Sequence, residues 1–306
     1  MSSFTKPGAP LLRDPLDVRL RDRLVEDIGG ADIVVLGVPW DWSVTGRPGA
    51  RFAPHKIRSY LYSLTTFSPS RGEIRCGILD LGDVKVSPGD WATTRNRVKE
   101  AIRGVLSQGK KFLVLGGDHS ITGPVLEALL EHGSVGLFFL DSHYDLRSVG
   151  EGYSSGTWLW ELYESYGGRS IRTVVVGIED YSNPAYLSER AAKLGVRVVS
   201  LGDIMEEGLQ SAFEAIDWLA GEEVDHYYVS VDMDHLGQAY APGVNAPAPI
   251  GMTPRETLAL LGYTVNKLDP VGVDFTEVTP TVDIGDSTSK LTARLAAATV
   301  GFMCKR

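Results

Sequence analysis

Short apolar runs recur along the chain, separated by stretches in which apolar residues return every three or four positions. The runs are ADIVVLGV (31–38), IRCGILDL (74–81), KFLVLGG (111–117), SVGLFFLD (134–141), RTVVVGIE (172–179), VRVVSLGD (196–203), HYYVSVDMD (226–234) and VGVDFTEV (271–278). Each is brief, apolar on both faces and bounded by glycine or polar residues, which predicts buried strands. Residues 93–109 put Val98, Ile102, Val105 and Leu106 on one helical face and stop at Gly109. Residues 184–195, 211–221, 254–263 and 289–303 repeat that pattern. Strands alternating with helices predict an α/β fold, with about eight parallel strands and helices on both faces.

No low-complexity linker or internal repeat divides the chain, so residues 1–306 are expected to form a single domain. Residues 1–30, mixed and charged, are expected to wrap its surface. Two long segments, 40–52 and 146–158, read as loops. Long ordered loops in compact domains are commonly functional.

Composition narrows the function. The chain has 306 residues, 43% hydrophobic and 23% charged, with a net charge of −9. That balance argues against nucleic acid or an anionic membrane as partner, since both call for basic patches. No apolar run is long enough to span a bilayer. The N-terminus MSSFTKPGAP lacks the apolar core of a signal peptide, so a cytoplasmic location is expected. Cys76 and Cys304 form neither a disulfide framework nor a zinc ribbon, and are expected to be free thiols.

The candidate chemistry lies at the strand ends, where open parallel sheets form their sites. KFLVL is followed by Gly116-Gly117-Asp118-His119-Ser120, and VGLFFL by Asp141-Ser142-His143-Tyr144-Asp145. YYVSV leads into Asp232-Met233-Asp234, and VGVDFT ends at Glu277. In extended chain, residues i and i+2 point the same way, so Asp141, His143 and Asp145 can face one point, as can Asp232 and Asp234. Together with His119 these make four carboxylates and two imidazoles without a thiolate. Such a set suits Mn²⁺ or a similar borderline-hard cation, and two divalent ions would neutralise the mutual repulsion. Blander readings exist for each motif alone. Asp118 or Ser120 can cap a helix starting near Ile121, and Asp-Met-Asp can be a polar strand end. His55, His132, His226 and His235 match no ligand pattern and are read as structural or surface residues.

The motifs GGDHS (116–120), DSHYD (141–145), SVDMD (230–234) and EVTP (277–280), in that order, resemble the arginase–agmatinase–formiminoglutamase (ureohydrolase) family. GRPGARFAPHKIR (46–58) and APGVNAPAPIG (241–251) extend the resemblance from about residue 31 to the C-terminus. The resemblance implies a three-layer α/β fold and two Mn²⁺ ions per subunit. It places one ion on His119, Asp141, Asp145 and Asp232. It places the other on Asp141, His143, Asp232 and Asp234, with Asp141 and Asp232 bridging. A water between the ions would attack an amidine-type carbon. Asp145 would also relay the proton to the departing nitrogen, and Glu277 would pair with the cationic nitrogen group. A homo-oligomer, trimer or hexamer, is expected by the same analogy.

The loop after Asp145 bears on the substrate. Arginases and agmatinases have a histidine before a glycine there, where this chain has Ser155 in Ser154-Ser155-Gly156-Thr157. The Asp145-Leu146-Arg147 start, the SSGT stretch and APGVNAP resemble formiminoglutamases, which cleave N-formimino-L-glutamate to L-glutamate and formamide. Arg147 suits a substrate carboxylate gripped bidentately, with Ser155 beside it, or else ties the loop to a nearby carboxylate. Two departures affect the pocket. Trp158-Leu159 replaces the family's Pro-Phe, and Gly237-Gln238 stands where the family has Asp and often Pro. Agmatinase-like or guanidino-acid hydrolysis releasing urea is the alternative activity, and a non-catalytic family member the alternative class.

Overall fold

The computed structural model describes residues 14, 16–168 and 170–304. In chain order the first half contains β1 (Ile33–Gly37), α1 (Ala53–Leu61), β2 (Phe67–Ser68), β3 (Gly72–Glu73), β4 (Ile78–Asp83), α2 (Trp91–Leu106), β5 (Lys111–Leu115), α3 (Thr122–Leu130) and β6 (Val135–Leu140). The second half contains α4 (Trp158–Tyr166), β7 (Ile171–Ile178), α5 (Ala185–Leu194), β8 (Arg197–Ser200), α6 (Leu201–Glu207), α7 (Gln210–Ala220), β9 (His226–Asp232), α8 (Pro254–Leu268), β10 (Gly272–Thr276) and α9 (Ser287–Met303).

The eight expected strands pair into one sheet, in the order β4-β1-β5-β10-β9-β6-β7-β8. Every pairing in it is parallel. Strand residues alternate between two cores. Leu113, Leu115, Phe138 and Leu140 face α1, α6, α7, α8 and α9, whereas Phe112, Val114, Leu137 and Phe139 face α2, α3, α4 and α5. This period of two, with apolar residues on both faces, produces the three layers. The six inner strands match the expectation of burial on both faces. The edge strands do not: from Asp80 onward β4 has no buried residue, and β8 buries only Val199. An edge strand has one neighbour fewer, so water reaches its outer side.

Helix ends follow their sequence signals. Asp90 caps α2 by accepting the Thr93 N–H, and Thr253 and Glu256 form a reciprocal capping box at α8. The fourth strand begins at Ile78 rather than at Ile74. The chain just before it belongs to the small hairpin β2–β3, which the apolar pattern does not reveal. Of the N-terminal thirty residues, 1–13 and 15 lie outside the described residues. Further on, Leu20 is buried and Leu24 bridges Ile78 at the β4 edge.

One expectation is overturned. Cys76 and Cys304 are not free thiols but form a disulfide, with Cα atoms 5.8 Å apart and a sequence separation of 228. Separation along the chain concealed the contact: the approach to β4 and the end of α9 meet below the sheet's amino-terminal edge. Among the described residues, no helix is long and apolar enough to cross a membrane.

Candidate metal centre

Strands β5, β10, β9 and β6 are consecutive neighbours at the middle of the sheet. Being parallel, they end on one edge, and the residues that follow them share that edge. Asp232 is level with Thr276, and Val231 with Leu140, so Asp141, Asp232 and Glu277 emerge side by side. His119 arrives from β5 through Gly116-Gly117-Asp118. A side chain at Gly117 would meet the Trp40 carbonyl oxygen at 1.7 Å, so only glycine fits this passage. Asp118 then accepts the Ser120 N–H at 3.0 Å and the Ser43 N–H at 3.1 Å. Asp118 thus caps the 3-10 turn His119–Ile121 that leads into α3, not α3 itself, and it serves the site by fixing His119.

His119 Nδ1 lies 3.0 Å from Asp141 Oδ2, 2.9 Å from Asp145 Oδ2 and 3.0 Å from Asp232 Oδ2. His143 Nδ1 lies 3.4 Å from Asp141 Oδ1 and 3.2 Å from Asp234 Oδ2. Two donor groups result, one with His119, Asp141 and Asp232, the other with Asp141, His143 and Asp234. Asp141 belongs to both, one oxygen turned to each histidine. Asp232 Oδ1 accepts the Asp234 N–H at 2.8 Å.

These residues fit a divalent cation. His119 Nδ1 and Asp141 Oδ2 are buried and, among the described residues, have no hydrogen-bond partner despite their proximity. Orphaned buried polar atoms call for a partner. Separations of about 3 Å match the edge of a six-coordinate shell with bonds of about 2.1 Å. Ring chemistry agrees: His119 Nε2 bonds Ser230 Oγ at 2.9 Å, and that hydroxyl donates to Asp274 Oδ1 at 2.5 Å. Because Ser230 spends its proton on Asp274, it accepts from Nε2–H, leaving the Nδ1 lone pair for a cation. Thr122 and Tyr228 hydroxyls donate to Asp274 Oδ2, each at 2.8 Å.

Electrostatics point the same way. Burial, and then the Asp145 and Asp234 carboxylates, push Asp141 up to about 6. Burial, followed by Asp234 and Asp141, carries Asp232 well above the carboxylate range. Burial opposes charge on His119, yet Asp141, Asp145 and Asp232 outweigh it and hold its pKa well above the histidine range. Crowded carboxylates of this kind gain from a cation among them.

Glu277 is fully walled in, accepts the His119 N–H through Oε1 at 2.7 Å and leaves Oε2 unpartnered. Burial, followed by Asp232 and Asp118, raises its pKa well above the ordinary value. Asp145 and Glu277 both hold positive φ, 53° and 66°, although neither is glycine. Such backbone costs about 1–2 kcal/mol per residue and clusters at functional sites.

A cavity of about 120 Å³ opens over these groups, lined also by Thr45, Arg147, Ser155, Asn183 and Asn245. Arg147 is exposed at its rim, and its guanidinium has no carboxylate partner among the described residues. Ser155 is buried, its N–H donating to the Ser43 carbonyl at 2.9 Å. None of the histidines set aside joins the two donor groups, although His235 bonds the Asp232 carbonyl through Nδ1. His235 is buried, bonded to Thr257 Oγ1 at 2.7 Å, and burial lowers its pKa to about 4. His55 and His132 are exposed, and His226 is half-buried. A wider groove of about 950 Å³ lies at the opposite edge of the sheet, near the disulfide, with none of these ligands.

Residues 31–301 match the arginase family model. The chain belongs to the arginase family. Formimidoylglutamase of Halobacterium salinarum is 35% identical over 280 residues, covering 89% of this chain and 88% of that protein. The crystal structure of formimidoylglutamase from Bacillus subtilis superposes with a TM-score of 0.92 at 27% identity, covering 99% of this chain and 97% of that one. Proclavaminate amidinohydrolase from Streptomyces clavuligerus superposes with a TM-score of 0.81 at 34% identity, covering 90% and 92%. Within this arginase-family chain, Thr45, Asn183, Ser230, Asn245 and Asp274 are site residues to which the motifs assigned no role, although Ser230 and Asn245 stand inside two of them. Asp274 had a signal, a lone carboxylate inside an otherwise apolar inner strand.

Proposed function

We propose that this protein is a binuclear manganese hydrolase that cleaves N-formimino-L-glutamate to L-glutamate and formamide. The observation that carries the reading is Asp141, shared between two histidine-centred donor groups beside an unpartnered Glu277 oxygen. In this reading His119, Asp141, Asp145 and Asp232 hold one ion, and Asp141, His143, Asp232 and Asp234 the other. The pair supplies a nucleophile from water near neutral pH. Glu277 orients the planar amidinium through its free oxygen. Asp145 passes a proton to the departing glutamate nitrogen as the bond from that nitrogen to the formimino carbon breaks. Arg147, without a carboxylate partner among the described residues, receives a substrate carboxylate at the rim, with Ser155 lining the approach. Residues 1–306 act as a single catalytic domain, expected in the cytoplasm as a homo-oligomer.

The likeness to proclavaminate amidinohydrolase supports a second reading, hydrolysis of a carboxylate-bearing guanidino acid with release of urea. Arg147 fits that substrate class equally. A panel of formiminoglutamate, agmatine and guanidino acids, assayed with Mn²⁺ for formamide, urea and ammonia, separates the readings. Formamide from formiminoglutamate is expected. Urea from a guanidino acid, with no formamide, would replace the first reading by the second.

A further inference from the structure

Asp145 differs from the other carboxylates of the site. It stands at positive φ at the mouth of the 146–158 loop, away from any strand. One hydrogen bond reaches its side chain across that loop. The Trp158 indole Nε1–H donates to Asp145 Oδ2 at 2.6 Å, and the same oxygen lies 2.9 Å from His119 Nδ1. Trp158 is completely buried at the start of α4. Its ring centroid lies 4.9 Å from that of His119 and 5.9 Å from that of Phe139. The loop base is closed alongside by Arg147 N–H donating to the Gly156 carbonyl at 3.0 Å.

A buried indole N–H needs an acceptor, and a carboxylate oxygen has two lone-pair directions. One is taken by the indole, which leaves the other for a cation. We propose that Trp158 is a positioning residue of the metal centre, its indole N–H holding Asp145 Oδ2 against His119 Nδ1, beside the donor group of His119, Asp141 and Asp232. Phenylalanine or proline at this place would supply no such donor. The indole bond also ties a metal ligand to the loop that carries Arg147 and Ser155.

The proposal rests on the two-metal reading, and its test keeps the two apart. Mn²⁺ is titrated calorimetrically into metal-free wild-type protein and into Trp158→Phe. The variant keeps an aromatic ring and loses the donor. One Mn²⁺ is expected to bind about 10- to 100-fold more weakly in the variant, the size typical when a ligand's orienting partner is removed, while the other is retained. Wild-type affinity at both sites, or equal weakening of both, overturns the proposal. A role in packing alone lowers thermal stability without this selectivity. Should the variant not fold, indole NMR of metal-free protein labelled at tryptophan decides. Asp145→Ala is expected to move one indole N–H resonance upfield, and no movement overturns the proposal. Failure of the wild type to take up Mn²⁺ would instead sink the two-metal reading.

Discussion

The backbone N–H of His119 donates to Glu277 at 2.7 Å, so a residue of the donor set and the carboxylate facing the cavity are locked together. The bond uses Oε1 and leaves Oε2 alone to meet a ligand. Glu277→Gln keeps an acceptor for His119 and removes the charge. A hydrogen bond to a charged group contributes about 1.5–3 kcal/mol, so kcat/KM should fall on the order of 10- to 100-fold. Mn²⁺ content should be unchanged, as measured by metal analysis. Unaltered kinetics would remove Glu277 from substrate binding.

Ser230 stands between His119 and Asp274 and sets which imidazole nitrogen carries the proton. Ser230→Ala frees the ring to turn and to change tautomer. Mn²⁺ affinity is expected to drop about 10- to 100-fold, read by equilibrium titration, with thermal stability of the metal-free protein little changed.

Protons compete with metal in this cleft. Asp141 is pushed up to about 6, chiefly by burial, so the metal-free fold holds a proton there that the unfolded chain releases. Its contribution favours folding at low pH and is lost as pH rises from about 4 through about 6. His119, raised by its three carboxylates, likewise stabilises the metal-free fold while protonated and loses that contribution as pH passes its raised pKa. Metal binding requires Asp141 ionised and His119 neutral. The rise in Tm caused by Mn²⁺ should therefore grow between about pH 5 and about pH 8. An increment that is flat or shrinks with pH contradicts the assignment.

Arg147 has no carboxylate partner among the described residues, so its removal should not harm the fold. Arg147→Ala is expected to raise KM for formiminoglutamate about 10- to 100-fold, the worth of one charged hydrogen bond. Inhibition by formamidinium, which has no carboxylate, should be unaffected. Equal loss on both would place Arg147 in loop structure instead.

Much of this site was legible because its chemistry coincides with strand periodicity. Asp141 and His143 follow β6, and Asp232 and Asp234 end β9, so i, i+2 spacing aims them together and parallel pairing puts them on one edge. The apolar runs marked the inner strands because burial on both faces leaves few polar positions, Ser230 and Asp274 among them. What escaped reading depends on contacts across the fold. Cys76 and Cys304 meet only when α9 packs on the sheet. Trp158 stands in the sequence only as a departure at the end of a loop, and its N–H meets Asp145 only in the fold. Asn245 becomes a site residue because the Val244–Val278 bridge sets its segment beside Glu277. None of these pairings has a sequence period.

Anomalous diffraction from crystals of the Mn²⁺-loaded protein tests the central claim most directly. Two Mn²⁺ peaks are expected, one among His119, Asp141, Asp145 and Asp232, the other among Asp141, His143, Asp232 and Asp234. A single peak, or none among these six side chains, would contradict the account.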